Sequence, residues 1–258
     1  IVRRLVGSEM CIRDRYHYEE AQYWVWSQNP SLSYLTKGPF VASIISLSNS
    51  IFGQSYLGLK FFSLLAYIGT IIFIAYSSIA LKKDKNIGTT ALLITGLSPA
   101  LFFLGGVAST DAYLFFFWSL VLFGYIKFTL NKNVRWFNFI ALATGLGLLT
   151  KLSMALLPIS ILIYFLFTEY RKYFYSIHLY FSALLAILIA SPIVIWNIDN
   201  DWLTLSHEMG HLVSGTPSNN PEILLMTMIV TIPSAALLFI RDISCLLYTS
   251  DAADDVIS

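Results

Sequence analysis

Long apolar runs almost free of charge dominate this chain and restrict what it can become. Runs at 61–81, 87–108, 112–130, 136–150, 152–167, 174–196 and 223–240 are separated by short polar breaks. Several approach or exceed the ~18–20 residues that cross a bilayer as a helix. Across the 258 residues, 57% are hydrophobic and 12% charged, about half the charge of an average soluble domain. The expected fold class is all-α: a polytopic integral membrane protein with about seven transmembrane helices. Short interfacial helices are expected in the segment ahead of them. A formal net charge of +1 offers no basis for nucleic-acid binding.

The breaks orient the runs. Lys82/Lys83/Lys85, Lys132/Arg135, Arg171/Lys172 and Arg241 fall in alternate breaks. Seven crossings put all of them on one side, which the positive-inside rule makes cytoplasmic. The other side then receives 16–57, the turn at Asp111, Lys151 between two shorter runs, and the polar loop 197–220. Glu19, Glu20, Lys37, Asp111, Lys151, His207, Glu208 and His211 are thereby predicted on a single extracytoplasmic face. Runs 136–150 and 152–167 are each short, so they read as a hairpin with Lys151 at its tip. Phe40–Phe52 carries a helical apolar stripe but is too short to span, which predicts a helix lying in the interface and stopping at Gly53.

The two ends of the chain are of a different kind. LVGSEMCIRDR (5–15) and CLLYTSDAAD (245–254) resemble in-frame translations of sequencing adapters. Residues 1–15 and 245–258 are therefore expected to stand outside the fold, with natural sequence missing beyond them. Between these ends, 16–57 is expected to form an extracytoplasmic loop and 58–244 a truncated transmembrane region. Cys11 and Cys245, the only cysteines, both fall in the excluded ends, so no disulfide or thiol chemistry is expected.

Each polar candidate has a plain reading beside its functional one. Glu19 and Glu20 are either a general base near the membrane or an acidic helix start. Adjacent helical residues point about 100° apart, so one of the two is expected to face a given pocket. Lys37, in Thr36-Lys37-Gly38-Pro39, is either a phosphate-binding point charge on a turn or a surface lysine. Asp111 and Lys151 sit at edges of apolar runs, where ionisable groups either serve a site or mark the boundary. His207-Glu208-Met209-Gly210-His211 fits the zinc-protease pattern H-E-x-x-H. Gly210 weakens a helix there, Gly215-Thr216-Pro217 ends it, and Glu222 is the nearest acidic third ligand, in no recognised spacing. A structural or substrate-contacting role fits these histidines better, and a membrane zinc metalloprotease is the alternative. A transporter would place polar groups in the middle of its spans, which these runs almost entirely lack.

EEAQYWVWSQ followed by SLSYLTKGPFVA resembles the first outer loop of GT-C-type, polyprenyl-phosphate-sugar-dependent glycosyltransferases. That group includes protein O-mannosyltransferases, lipid A aminoarabinose transferases and rhizobial galacturonosyltransferases. GGVASTDAYLFFFW, LLTKLSMALLP and PIVIWNIDNDWLTLSHEMGH are similar to later stretches of the same family. The resemblance implies an inverting transfer of a sugar from a polyprenyl-phosphate donor to an extracytoplasmic lipid, glycan or protein acceptor. The setting it implies is the bacterial inner membrane, at the periplasmic face. It implies Glu19 as the base with Glu20 beside it, and Lys37 as the contact to the donor phosphate. It also implies Asp111, Lys151, His207 and His211 as substrate contacts. No cofactor is implied, and a divalent metal is compatible. Two positions depart from the family pattern: Glu19 stands where Asp is usual, and Gly38 where Pro is common.

Overall fold

The computed structural model describes residues 18–204 and 206. All regular secondary structure among the described residues is helical. In chain order, α1 is Tyr18–Gln28, α2 Phe40–Phe52, α3 Tyr56–Lys82, α4 Lys85–Gly96, α5 Pro99–Gly106, α6 Thr110–Asn131 and α7 Arg135–Leu148. A 3-10 turn at Leu152–Ala155 leads into α8, Leu156–Leu166; a second at Glu169–Tyr175 leads into α9, Ile177–Asp199. Helix α3 packs against α4, α5 and α6, while α7 packs between α6 and α9. The pair α1 and α2 covers one end of α3.

Helices α3, α6 and α9 are each long and apolar enough to cross a membrane, and counting each bent helix pair as one crossing raises the number to 5 among the described residues. The described residues therefore show fewer than the seven expected crossings, and three of the runs are not single full-length rods. The run at 87–108 is not one rod: α4 and α5 meet at a 63° bend. Pro99 supplies no N–H and pushes Ser98 into extended backbone (ψ 118°), which ends the first helix and starts the second. The run at 136–150 becomes α7 with 14 residues, a length of about 21 Å against the ~30 Å of a hydrocarbon core. The run at 152–167 is likewise short, and the segment after it turns by 107°. The run at 223–240 lies outside the described residues.

The outer surfaces identify the solvent. Leu64, Leu65, Ile68 and Ile72 of α3 and Ile187, Leu188 and Ile195 of α9 are exposed, whereas Ser63, Thr70 and Ser77 of α3 are buried. In water this arrangement would be inside out; against lipid it leaves only apolar groups facing the tails. The buried hydroxyls are satisfied within the protein: Ser63 Oγ donates to Tyr113 Oη (3.1 Å), and Thr70 Oγ1 to the Ala66 carbonyl (2.8 Å). The chain is a helical membrane protein.

Lys151 falls at the break between α7 and α8, but the two helices do not pack along each other as the arms of a hairpin would. Lys151 has extended backbone (φ −157°, ψ 136°) between α7 and the 3-10 turn. Lys132 at the end of α6 lies 3.9 Å from Glu169 and donates to Tyr170 Oη (2.6 Å), so the break after α6 and the break after α8 share one end of the bundle. Phe128, Phe137 and Phe165 form a buried aromatic cluster there. Lys151 and Asp111 meet at the opposite end. Helix α2 has the bounds expected from its stripe, but Val41, Ala42 and Ile45 are buried against protein, while Leu47 and Ile51 on the other edge are exposed.

Helix α7 touches α9 through Gly145. A Cβ there would meet Ile189 Cβ at 2.7 Å and the Ala186 carbonyl at 3.1 Å. Small residues allow such close approach between membrane helices. Gly145→Val should cost about 1–3 kcal/mol by overpacking, read as a lower melting temperature in detergent. Leu142→Val, at a side chain that is 46% exposed, should leave that temperature nearly unchanged.

Candidate active site

The site is built on α1. Its first turn carries Glu19 and Glu20, where carboxylates favour the helix dipole. The helical turn sends the two apart. Glu20 points inward and is 1% exposed; Glu19 stays partly exposed. The Ala108 N–H donates to Glu20 Oε1 at 2.8 Å, and Lys60 Nζ lies 3.1 Å from the same oxygen. Lys60 also donates to the Gly106 carbonyl at 2.7 Å. This one carboxylate therefore joins α1 to the first turn of α3 and to the link between α5 and α6.

Sequence reasoning missed Lys60. It reads as the residue just before an apolar run, and its partner lies far back along the chain. The available signal was a lone cation at the mouth of a span on the side already assigned to carboxylates.

Three residues beyond Ala108 lies Asp111, in the first turn of α6, which Ser109 caps by accepting from the Ala112 N–H (3.4 Å). Lys151 Nζ donates to Asp111 Oδ1 at 2.7 Å, with the two side chains 33% and 40% exposed. Such a half-open pair contributes little to stability, typically ~0–1 kcal/mol. What it does is orient the lysine.

Lys37 reaches the same region through backbone docking. The Phe40 N–H donates to the Leu149 carbonyl (3.0 Å), and a Cβ on Gly38 would run into that same carbonyl. Glycine at 38 therefore has a local cause: the loop lies directly on the backbone two residues before Lys151. The loop is also held internally. Tyr34 stacks on Trp26 (4.3 Å, 5°), its hydroxyl donates to the Trp26 carbonyl (3.1 Å), and its N–H donates to the Lys37 carbonyl (3.1 Å). Partial burial pushes the Tyr34 phenol above its ordinary pKa.

Lys37 and Lys151 line one cavity of about 80 Å³, together with Ser33, Thr36, Ser153, Ile193 and Thr204. The structure thus brings Lys37, Lys151 and Asp111 together, and ties Glu20 to the same α5–α6 link. His207, Glu208 and His211 lie outside the described residues. Among the described residues, no three His, Cys, Asp or Glu side chains are grouped to hold a metal ion.

Residues 36–196 match the dolichyl-phosphate-mannose-protein mannosyltransferase family, over more than half of the chain. The chain belongs to this GT-C-type family. The matched region holds Lys37, Asp111 and Lys151 and begins after Glu19 and Glu20. Lipid A galacturonosyltransferase RgtD of Rhizobium johnstonii is 26% identical over 199 residues, covering 73% of this chain and 40% of the relative. An uncharacterized protein of Aquifex aeolicus is 27% identical over 157 residues, covering 60% of this chain and 32% of its own length. The chain thus spans two fifths or less of the length of these relatives. No solved structure matches.

Two substitutions separate the structural pair from the orienting one. Lys60→Met leaves Glu20 buried without its cation and should cost about 3–5 kcal/mol, with partial recovery in the Lys60→Met/Glu20→Met double variant. Asp111→Asn should cost less than ~1 kcal/mol. Thermal unfolding in detergent reads both.

Proposed function

We propose that this chain is the membrane-embedded portion of a glycosyltransferase. It moves a sugar from a polyprenyl-phosphate donor to an extracytoplasmic lipid, glycan or protein acceptor, with inversion at the anomeric carbon. The observation that carries the reading is the pair of lysines, Lys37 and Lys151, lining one cavity beside Asp111 in a chain of this family. Two ammonium groups in a half-enclosed site suit a leaving phosphate that gains charge as its bond to the sugar breaks.

The carboxylates divide by environment. Glu20 is committed to Lys60 and the Ala108 N–H, and is enclosed. Glu19, one residue away and partly exposed, is the better base. It takes the proton of the acceptor hydroxyl as that oxygen attacks the anomeric carbon. The bond from that carbon to the phosphate oxygen breaks on the opposite face, and its electron pair leaves with the lipid phosphate. Asp111 holds Lys151 toward the cavity. His207 and His211, shortly beyond Thr204, are read as further substrate contacts.

The distribution of charge supports one reading of the side of the membrane. Lys82, Lys83, Lys85, Lys132, Arg135, Arg171 and Lys172 belong to breaks that alternate with those of the site. The Lys132 contacts with Glu169 and Tyr170 support a common end for two of those breaks. Read as cytoplasmic, the basic end supports a site on the periplasmic face of a bacterial inner membrane.

RgtD, by its name, transfers galacturonosyl groups to lipid A, so a galacturonosyl donor and lipid A are the first pair to try. In membranes carrying the full natural protein, Glu19→Gln should lower the rate constant for transfer about 10²-fold or more while leaving the protein folded. Lys37→Met should lower transfer as well. Full activity in Glu19→Gln would remove it as the base, and a loss confined to a folded Glu20→Gln would move that role one residue along.

A further inference from the structure

Two residues that line the cavity carry hydroxyls without a partner. Ser153 Oγ and Thr204 Oγ1 are both closed off from solvent and make no hydrogen bond. Both residues line the space shared by Lys37 and Lys151. Neighbouring hydroxyls are satisfied: Thr150 Oγ1 donates to the Gly147 carbonyl (2.6 Å), and Ser33 Oγ to the Lys37 carbonyl (3.4 Å). A buried hydroxyl without a partner costs stability and calls for an explanation.

The chain goes to some length to put Thr204 there. After α9, Asp201 and Trp202 both adopt left-handed backbone, φ 52° and 56°, and the chain doubles back. Non-glycine residues pay for that conformation, and it persists where surrounding contacts impose it. Here Asn197 imposes it. Its carbonyl accepts from the Trp202 N–H (2.8 Å), and its Oδ1 accepts from the Thr204 N–H (3.2 Å). Its Nδ2 donates to the carbonyl of Ile193, which also lines the cavity. Thr204 ends 5% exposed, with its hydroxyl unused.

We infer that Ser153 and Thr204 are hydroxyl donors of an anion site and bind phosphate oxygens of the lipid-linked donor alongside Lys37 and Lys151. The inference rests on the reading of this cavity as the phosphate site. A phosphate diester offers only acceptors to its surroundings. Ammonium groups supply charge with little directional preference; hydroxyls add direction and satisfy lone pairs the lysines do not reach. About 80 Å³ holds several water-sized positions, room for a phosphate but not for the lipid chain. The occupant therefore enters head first, with its tail left in the bilayer.

The test measures binding to the purified full natural protein in detergent, with undecaprenyl phosphate, undecaprenol and inorganic phosphate as probes. Thr204→Val and Ser153→Ala should each weaken undecaprenyl phosphate binding about tenfold or more. Thr204→Ser should restore it, and undecaprenol binding should not change. Without ligand, Thr204→Val should melt no lower than the parent, because it replaces an unpartnered hydroxyl with a methyl of the same shape. Parental phosphate affinity in both hydroxyl variants, with Lys37→Met weakened, would overturn the role of the hydroxyls and leave the cavity reading standing. Parental affinity in Lys37→Met as well would overturn both. Equal losses for undecaprenol would make the effect structural and refute the inference. Inorganic phosphate binding as tightly as the lipid, with the same losses, would refute the lipid assignment.

Discussion

Glu20 is a carboxylate shut away from both water and lipid, and the arrangement of this end of the molecule depends on how it is neutralised. Lys60 brings the first turn of α3 to it, and the Ala108 N–H brings the link between α5 and α6. An ion buried without partners is expensive enough that the surrounding elements are held where they can reach it. Lys60 is anchored in turn by the Gly106 carbonyl. The segment ahead of the bundle is thereby fastened to the bundle, and Glu19 and Asp111 inherit their positions from that fastening.

A second attachment makes the cavity. Gly38 lies on the Leu149 backbone and Phe40 donates to the Leu149 carbonyl, so the Lys37 loop rests on the turn that carries Lys151. The two attachments are unlike in kind. One is electrostatic and tolerates no loss of charge; the other is steric and tolerates no side chain. Between them they bring residues from α1, the loop before α2, α6, and the turn after α7 to one end of the bundle. The rest of the molecule meets different demands. Its outward faces are apolar because they meet lipid, and the buried hydroxyls of Thr70 and Ser77 on α3 donate to backbone carbonyls.

Much of this was legible in the sequence. Charge alternation put Asp111, Lys151 and the carboxylates at one end, with Lys151 at a break between two short runs, because both follow from local hydropathy and the distribution of lysine and arginine. The stripe at Phe40–Phe52 reported its helix to the residue. Its burial against α1 and α3 was not legible, since a stripe shows that a face is apolar but not whether protein or lipid covers it. The bend at Ser98–Pro99 was hidden by a run whose average hydropathy does not register a missing N–H. Lys60 was hidden because its meaning depends on Glu20, and pairing across such a separation is a property of packing. The unsatisfied hydroxyls of Ser153 and Thr204 were hidden for the same reason: serine and threonine look alike in a sequence whether their oxygens are bonded or idle.

By itself, the sequence determined the class of solvent, the helical character and the break in which Asp111 and Lys151 would each lie. These depend on composition and period, which are local. Tertiary structure alone decided which carboxylate is buried and which is partly exposed, and that two lysines far apart in the chain share one cavity. It also decided that glycine is required at 38. Those outcomes turn on distances between backbones brought together by packing. A difference of one methyl group or one hydrogen bond there changes the answer, and nothing in the order of residues reports such a distance.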